Sequence, residues 1–289
     1  MQQINNKNIY KNGDDLLLKI SSLPEHLIYE YMAKHKQPRY LYKYCSFTNL
    51  RQIEDIICNS KLWLSEIKKL NDPFEFNWTT TVSSNPLDRI NKAIQLGKDF
   101  PVQFGMTPYE KTLQALTLAL SPNFEEKARG LKDKSELVNP GVTCFTTKPF
   151  EILMWSHYAN QFKGCVFEFE VIKDVQVFMQ TLPVRYSKNY PTVEFTNVTR
   201  LEDLNQAMLT KYIGWSYENE RRILRLWSGE SPLSFKPSAL SRIYLGCNFE
   251  KANLITLETL LNKRKRYGLN APEIVETRID NSAYEIKAT

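Results

Sequence analysis

Glu218 and Glu220 stand one residue apart in "KYIGWSYENERR", with Trp215 and Tyr217 before them and Arg221 and Arg222 behind. Carboxylates among aromatic rings can stabilise a developing positive charge, hold a hydroxyl or accept a proton. The same residues also make a charge cluster between hydrophobic anchors. In a strand the two glutamates point the same way and Arg221 lies on the opposite face. In a helix Glu218 pairs instead with Arg221 and Arg222, an exposed lattice contributing at most about 0.5 kcal/mol per pair. Trp215 and Tyr217 favour partial burial, where a carboxylate needs a partner or a ligand.

Three further clusters carry reactive side chains. In "RYLYKYCS" strand alternation places Tyr40, Tyr42 and Tyr44 on one face and Arg39, Leu41, Lys43 and Cys45 on the other. Lys43 then reads as an edge charge or as an anion contact. In "LNDPFE" Asn71 and Asp72 suit a capped turn, or a loop that projects Glu75 into a site. In "CFTTKPFEILMWSHYANQFKGCVFEF" the hydroxyls of Thr146 and Thr147 leave a strand just before a helix, where they cap the helix or bind a ligand. That helix carries Trp155 and His157, and a lone helical histidine is more often packed than catalytic. Magnesium held by Asp72, Glu75, Glu218 and Glu220 is a further chemistry that carboxylates permit, though no spacing pattern calls for it.

The elements positioning these residues alternate in type. "SLPEHLIYEYMAKH" predicts a helix capped by Ser22, with Leu27, Tyr31 and Met32 on one face. Strand texture in "RYLYKYCSF" and "LWLSEI" brackets a helix with Leu50, Ile53, Ile56 and Ile57 at helical spacing. Residues 84–140 have helical texture broken by prolines and read as an insertion or lid. "GVTCFTT" is a strand, "PFEILMWSHYANQ" a helix, and "CVFEFEV" alternates as a half-buried strand. "LPVRYS" and "VEFTNV" are strand-like, and "LEDLNQAMLTKYIGW" predicts a helix up to about Gly214. A strand at "ALSRIYLG", a helix at "FEKANLITLETLLNKRKRYG" and a strand at "AYEIKA" complete the chain. Strands and helices interleave without regular βα units, so the class is α+β. The expected organisation is an arm and helix over 1–37 and a single α+β domain over 38–289.

Composition narrows the chemistry. A chain of 289 residues with 42% hydrophobic and 12% aromatic content buries a real core. There is no GxGxxG, Walker loop, HExxH or GxSxG, which removes the standard nucleotide and hydrolase fingerprints. Five cysteines without a CxxC pair, and only three histidines, predict neither a metal site nor a disulfide framework. No apolar run spans a bilayer and the first residues lack a signal core, so a cytoplasmic protein without membrane contact is expected. The net charge of +6, partly in "LLNKRKRYGL", suits an anionic ligand or nucleic acid, although a solvated helix end explains that run more simply.

Taken in order, "LYKY", "LWLSEIKKLNDPFE", "CFTT", "LMWSHYANQFKGCVFEF", "VRY", "KYIGWSYENERR" and "IYLG" resemble the bacterial domain-of-unknown-function family 2971 over roughly Arg39 to the C-terminus. Strand "LYKY", helix "NLRQIEDII" and strand "LWLSE" are also similar to the opening of ADP-ribosyltransferase folds. That likeness implies a mixed, mainly antiparallel split sheet flanked by helices, with NAD as substrate. Lys43 falls where that family has a histidine or arginine, a departure that touches the NAD-orienting contact. Thr146 or Thr147 falls at its hydroxyl position, and Glu220 or Glu218 at its late glutamate. Tyr42, Tyr44 or Trp155 would then stack on a ring, His157 would lie nearby, and Arg221 would support the glutamate or meet phosphate. The implied activity is modification of a nucleic-acid or protein target, in the manner of a toxin or phage-defence effector. The competing expectation is a non-catalytic module that binds nucleotide or nucleic acid through Lys43, Arg221, Arg222 and the basic C-terminal helix.

Overall fold

β-branched and aromatic residues with period-2 alternation build the centre of the fold, and helices with apolar stripes cover it. A computed structural model describes residues 15–99, 107–124, 126, 140–194, 196, 206–225 and 228–289. The first half of the chain forms α1 (Glu25–Lys34), β1 (Tyr40–Cys45), α2 (Leu50–Ile57), β2 (Lys61–Glu66), β3 (Thr79–Thr81), α3 (Pro86–Asp99) and α4 (Pro108–Ala119). Next come β4 (Gly141–Thr146), α5 (Ile152–Tyr158), β5 (Cys165–Glu170), β6 (Leu182–Pro183), β7 (Arg185–Ser187), β8 (Thr192–Glu194) and β9 (Thr210–Tyr212). The last stretch holds β10 (Glu220–Arg225), β11 (Ser231–Ser234), β12 (Leu240–Leu245), α6 (Lys251–Arg266), β13 (Glu273–Ile279) and β14 (Ile286–Ala288).

The chain divides into two compact units. The smaller draws its described residues from Leu70–Asn139 and Arg185–Ile213. It contains α3 and α4 together with two small parallel pairings, β3 with β8 and β7 with β9. Most of "FEEKARGLKDKSELV" and the start of "LEDLNQAMLTKYIGW" lie outside the described residues. The end of the latter is not helical as its spacing predicts. Thr210–Tyr212 pairs in parallel with Arg185–Ser187, an arrangement that suits its Thr and Tyr.

The larger unit takes in Lys11–Lys69, Pro140–Val184 and Gly214–Thr289. Its sheet runs β11-β2-β4-β1-β5-β12-β13-β14, with β10 on β4 and β6 on β10. β12 and β13 are parallel, and the other pairings in this sheet are antiparallel. The class is therefore α+β with a mixed, mostly antiparallel sheet flanked by helices. β10 pairs β4 along its whole length. On the other edge of β4, β1 touches at Thr146 and β2 touches at Val142 and Gly141. β1 and β2 thus part company along a single strand.

Each face of the sheet has its own apolar layer. Leu41, Cys45, Phe145, Phe167, Phe169, Ile223, Ile243 and Leu245 pack under Ile28 and Met32 of α1, Ile53, Ile56 and Ile57 of α2, and Leu257 and Leu260 of α6. Tyr42, Tyr44, Val166, Tyr244, Val275 and Ile286 pack under Met154, Trp155 and Ala159 at α5. Because both faces are covered, β5 is buried almost throughout rather than alternating with solvent. Ser22 does not cap α1 as its position suggests. Its hydroxyl donates to Lys19 O, Pro24 occupies the N-cap without a side-chain bond, and Ile28 and Met32 form the buried stripe.

α5 is short and depends on Trp155, whose ring is buried, meets Tyr44 edge-on and donates from Nε1 to Pro149 O at 2.9 Å. Replacing Trp155 by Phe keeps a ring but orphans that carbonyl. The expected loss is about 1–2 kcal/mol of stability, measured by urea unfolding. Gly164 follows the turn after α5 because a side chain there would meet Cys45 O at 2.3 Å.

Candidate functional site

The face beneath α5 collects most of the residues singled out from the sequence. Tyr42 is the cross-strand partner of Thr146, and Thr146 is the partner of Glu220. Directly opposed residues of an antiparallel pair share a face, so Tyr42, Thr146 and Glu220 form one transverse row over β1, β4 and β10. Strands lie about 4.8 Å apart, which puts Tyr42 and Glu220 about 10 Å apart at the backbone. Tyr44 belongs to the same face and ties down the loop entering α5. Its hydroxyl donates to Lys148 O at 3.0 Å and accepts from Glu151 N at 3.2 Å.

Glu220 does not stand alone. Arg222, two residues on and on the same face, donates from Nε to Glu220 Oε1 at 2.6 Å and from Nη2 to Oε2 at 2.9 Å. Their side chains are 0% and 5% exposed for Arg222 and Glu220 respectively. A two-pronged contact of this kind fixes the plane of the carboxylate. Burial first, and the Glu220 carboxylate second, push the neighbouring Cys144 thiol well above its ordinary range, so Cys144 is no nucleophile.

Glu218 is separated from this strand. It ends a 3-10 turn, and Asn219 follows with a left-handed φ of 44°. Neither a common strand nor a common helix therefore relates the two glutamates. Glu218 is 2% exposed and accepts from Tyr158 OH at 2.6 Å. Beside it His157, on the exposed side of α5, meets the Tyr217 hydroxyl through Nδ1 at 3.1 Å. The His157 ring also lies edge-on to Trp215 and Tyr217, at 6.3 and 6.2 Å between centroids. The half-exposed rings of Trp215 and Tyr217 thus form a platform with His157 next to a buried carboxylate.

Two other expectations change. Lys43 does not join Glu220: it lies on the opposite face with Leu41 and Cys45, where its Nζ donates to Thr143 Oγ1 at 3.2 Å and Cys144 O at 3.1 Å. The ammonium also sits 5.5 Å from the centre of the Phe145 ring. It satisfies polar groups of β4 near the parting of β1 and β2. Arg221 is likewise on that other face, donating to Thr181 Oγ1, Thr181 O and Gln37 Oε1. Burial lowers its pKa. Of the two threonines, Thr146 is buried with its hydroxyl accepting from Lys148 N at 3.0 Å, whereas Thr147 is exposed.

Asp72 and Glu75 belong to the smaller unit. Asp72 caps Phe74 N at 2.8 Å, and Glu75 pairs with the buried Lys211 at 3.0 Å. Among the described residues no group of three or more His, Cys, Asp or Glu could hold a metal ion. The basic run of α6 is also structural in part. Lys263 pairs with Glu54 at 2.6 Å and Arg264 points inward, which leaves Lys265 and Arg266 exposed. No helix among the described residues is long and apolar enough to cross a membrane.

One acid on the α5 face is not among the residues singled out from the sequence. Glu168 is 1% exposed and stands cross-strand from Tyr42. Its place in "CVFEFEV" suggested solvent, and only the covering of both sheet faces reveals it.

Comparison with known proteins gives one match. A family model described as "Protein of unknown function (DUF2971)" matches residues 154–223. That stretch holds most of α5, all of β5, the aromatic platform and both glutamates, and bears out the likeness seen in "MWSHYANQFKGCVFEF" and "KYIGWSYENERR". No curated protein and no solved structure matches the chain significantly.

Proposed function

We propose that the protein is an NAD-consuming transferase of the ADP-ribosyltransferase kind, working on the α5 face of the sheet. The observation that carries this reading is the row Tyr42–Thr146–Glu220. It joins the three strands to which the resemblance assigns the ligand contacts, with Tyr42 in the place expected of Lys43. In the reaction the bond between ribose C1′ and the nicotinamide nitrogen breaks, its electron pair leaving on nitrogen. The acceptor's nucleophile forms the new bond to C1′, and the acceptor's proton goes to a carboxylate or to water. Positive charge grows on the ribose as the bond lengthens, and a fixed carboxylate lowers the barrier electrostatically.

The two glutamates divide that work. The guanidinium of Arg222 offsets much of the charge of Glu220 but leaves its oxygens lone pairs that can accept from a ribose hydroxyl. Glu218, held by the Tyr158 hydroxyl beside the Trp215, Tyr217 and His157 rings, is the electrostatic partner for the growing charge. His157, Trp215 and Tyr217 offer ring faces for stacking, and Thr147 an accessible hydroxyl. A toxin or defence effector acting on nucleic acid or protein is the setting this chemistry fits. The anion-binding alternative is less well supported, because Lys43, Arg221, Arg222, Lys263 and Arg264 are all engaged by the protein itself.

The test is nicotinamide release from labelled NAD, with and without nucleic-acid and protein acceptors. Glu218→Gln keeps an acceptor for Tyr158 and is expected to lower turnover about 100-fold or more, with an unchanged melting temperature. Absence of turnover in the wild type, or full activity in Glu218→Gln, overturns the assignment.

A further inference from the structure

Two hydrogen bonds tie the end of α5 to the 3-10 turn before β10, and consecutive residues make them on both sides. His157 Nδ1 meets the Tyr217 hydroxyl at 3.1 Å, and Tyr158 OH donates to Glu218 Oε1 at 2.6 Å. Consecutive Cα atoms are about 3.8 Å apart, so the imidazole pair and the carboxylate pair lie side by side. They differ in exposure. Glu218 is buried and Tyr158 half-buried, whereas His157 is exposed and Trp215 and Tyr217 are half-exposed. The imidazole is thus the ionisable side chain of this corner that solvent reaches most freely. Around it stand the Trp215 and Tyr217 rings of the turn and the Tyr158 ring of its own helix, with the Glu218 carboxylate one hydrogen bond further on.

Three edge-on rings and a hydrogen bond at Nδ1 orient the imidazole. With Nδ1–H donating to the Tyr217 oxygen, the lone pair of the neutral ring is at Nε2. We propose that His157 is the general base of the transfer, relaying the acceptor's proton to water. The acceptor's lone pair forms the bond to ribose C1′ while the C1′–nicotinamide bond breaks with its electron pair on nitrogen. The proton freed from the acceptor moves to Nε2, and the imidazolium then gives it to water. A base is useful only to a nucleophile that carries a proton when it attacks. The acceptor is therefore an un-ionised hydroxyl or N–H group, water included, rather than a carboxylate. This inference rests on the transferase reading and divides the labour of the corner: Glu218 bears on bond cleavage and His157 on capture.

The test uses labelled NAD with mixed-sequence RNA, single-stranded DNA and casein as acceptors, following label on the acceptor and, for water, free ADP-ribose. His157→Asn keeps a polar group near the place of Nδ1 but offers no base, and His157→Ala leaves room for added imidazole. Both are expected to lower kcat about 100-fold, with Kd for NAD within about twofold and an unchanged melting temperature. Imidazole is expected to restore at least about tenfold to His157→Ala and nothing to wild type. Label on casein is expected to survive brief neutral hydroxylamine, which cleaves carboxylate esters. Full turnover in His157→Asn, no rescue of His157→Ala, weakened NAD binding that accounts for the loss, or label released by hydroxylamine would each overturn the proposal. If wild type turns over NAD and Glu218→Gln does not, while the His157 variants match wild type, this inference fails alone. If wild type releases no nicotinamide under any of these conditions, the transferase assignment fails and takes this one with it.

Discussion

Arg222→Ala is expected to cost about 3–5 kcal/mol of stability, because it takes a two-pronged cationic partner away from the buried Glu220 carboxylate. The guanidinium is fully enclosed and donates to both carboxylate oxygens of Glu220 in charge-assisted hydrogen bonds. Removing one member of such a pair withdraws the attraction but leaves the desolvation of the other in force. Glu220→Gln errs the other way, leaving Arg222 buried against a neutral amide. Replacing both by apolar residues of similar size, as in Glu220→Leu with Arg222→Met, removes both charges together. It is expected to regain most of the loss. Urea unfolding of the three variants and wild type checks this. Arg222→Ala within about 1 kcal/mol of wild type, or a double variant as weak as the single, would show that the pair is not a structural unit. The same argument explains why activity is tested at Glu218: a Glu220 variant confounds lost chemistry with lost fold.

Much of the larger unit is legible from local pattern. Alternation in "RYLYKYC" divides Tyr42 and Tyr44 from Leu41 and Cys45, and the two apolar layers of the sheet divide them identically. Isoleucine spacing marks the buried stripe of α2. What local pattern lacks is register between distant strands. Tyr42 meets Thr146 and Glu168 across more than 100 residues of chain, and no nearby residue specifies that alignment. Lys43 illustrates the consequence: alternation already opposes it to Tyr42, but only the pairing of β1 with β4 shows that Glu220 shares the tyrosine's face. Glu218 illustrates a second limit, since a single left-handed residue, Asn219, separates it from the strand that "ENERR" otherwise suggests. Glu168 shows the third. An acid at an alternating position reads as solvated until the covering helix is known.

Arg264→Ala is expected to be about as damaging as loss of the buried pair, although the residue sits in a run of four basic residues that reads as a solvated helix end. Leu257, Leu260 and Arg264 are the buried residues of α6, spaced so that all three fall on one helical stripe. Arg264 is therefore the inward-facing member of "KRKR", at 1% exposure. Its guanidinium donates to Asn270 O and Ile57 O at 2.6 Å each, to Pro237 O at 2.7 Å and to Asn270 Oδ1 at 2.9 Å. These acceptors come from the end of α2, the turn before β12 and the loop after α6, so one side chain fastens three segments. Truncation leaves several of the carbonyls without their donor at about 1–3 kcal/mol apiece, for an expected total of about 3–5 kcal/mol. Arg264→Lys keeps the charge but offers a single nitrogen where a planar fork reaches separated acceptors, and is expected to recover less than half of that loss. Arg266→Ala, two residues away and exposed, is expected to stay within about 0.5 kcal/mol of wild type. Unfolding midpoints that rank Arg264→Ala with Arg266→Ala would place both residues in solvent and refute the fastening role.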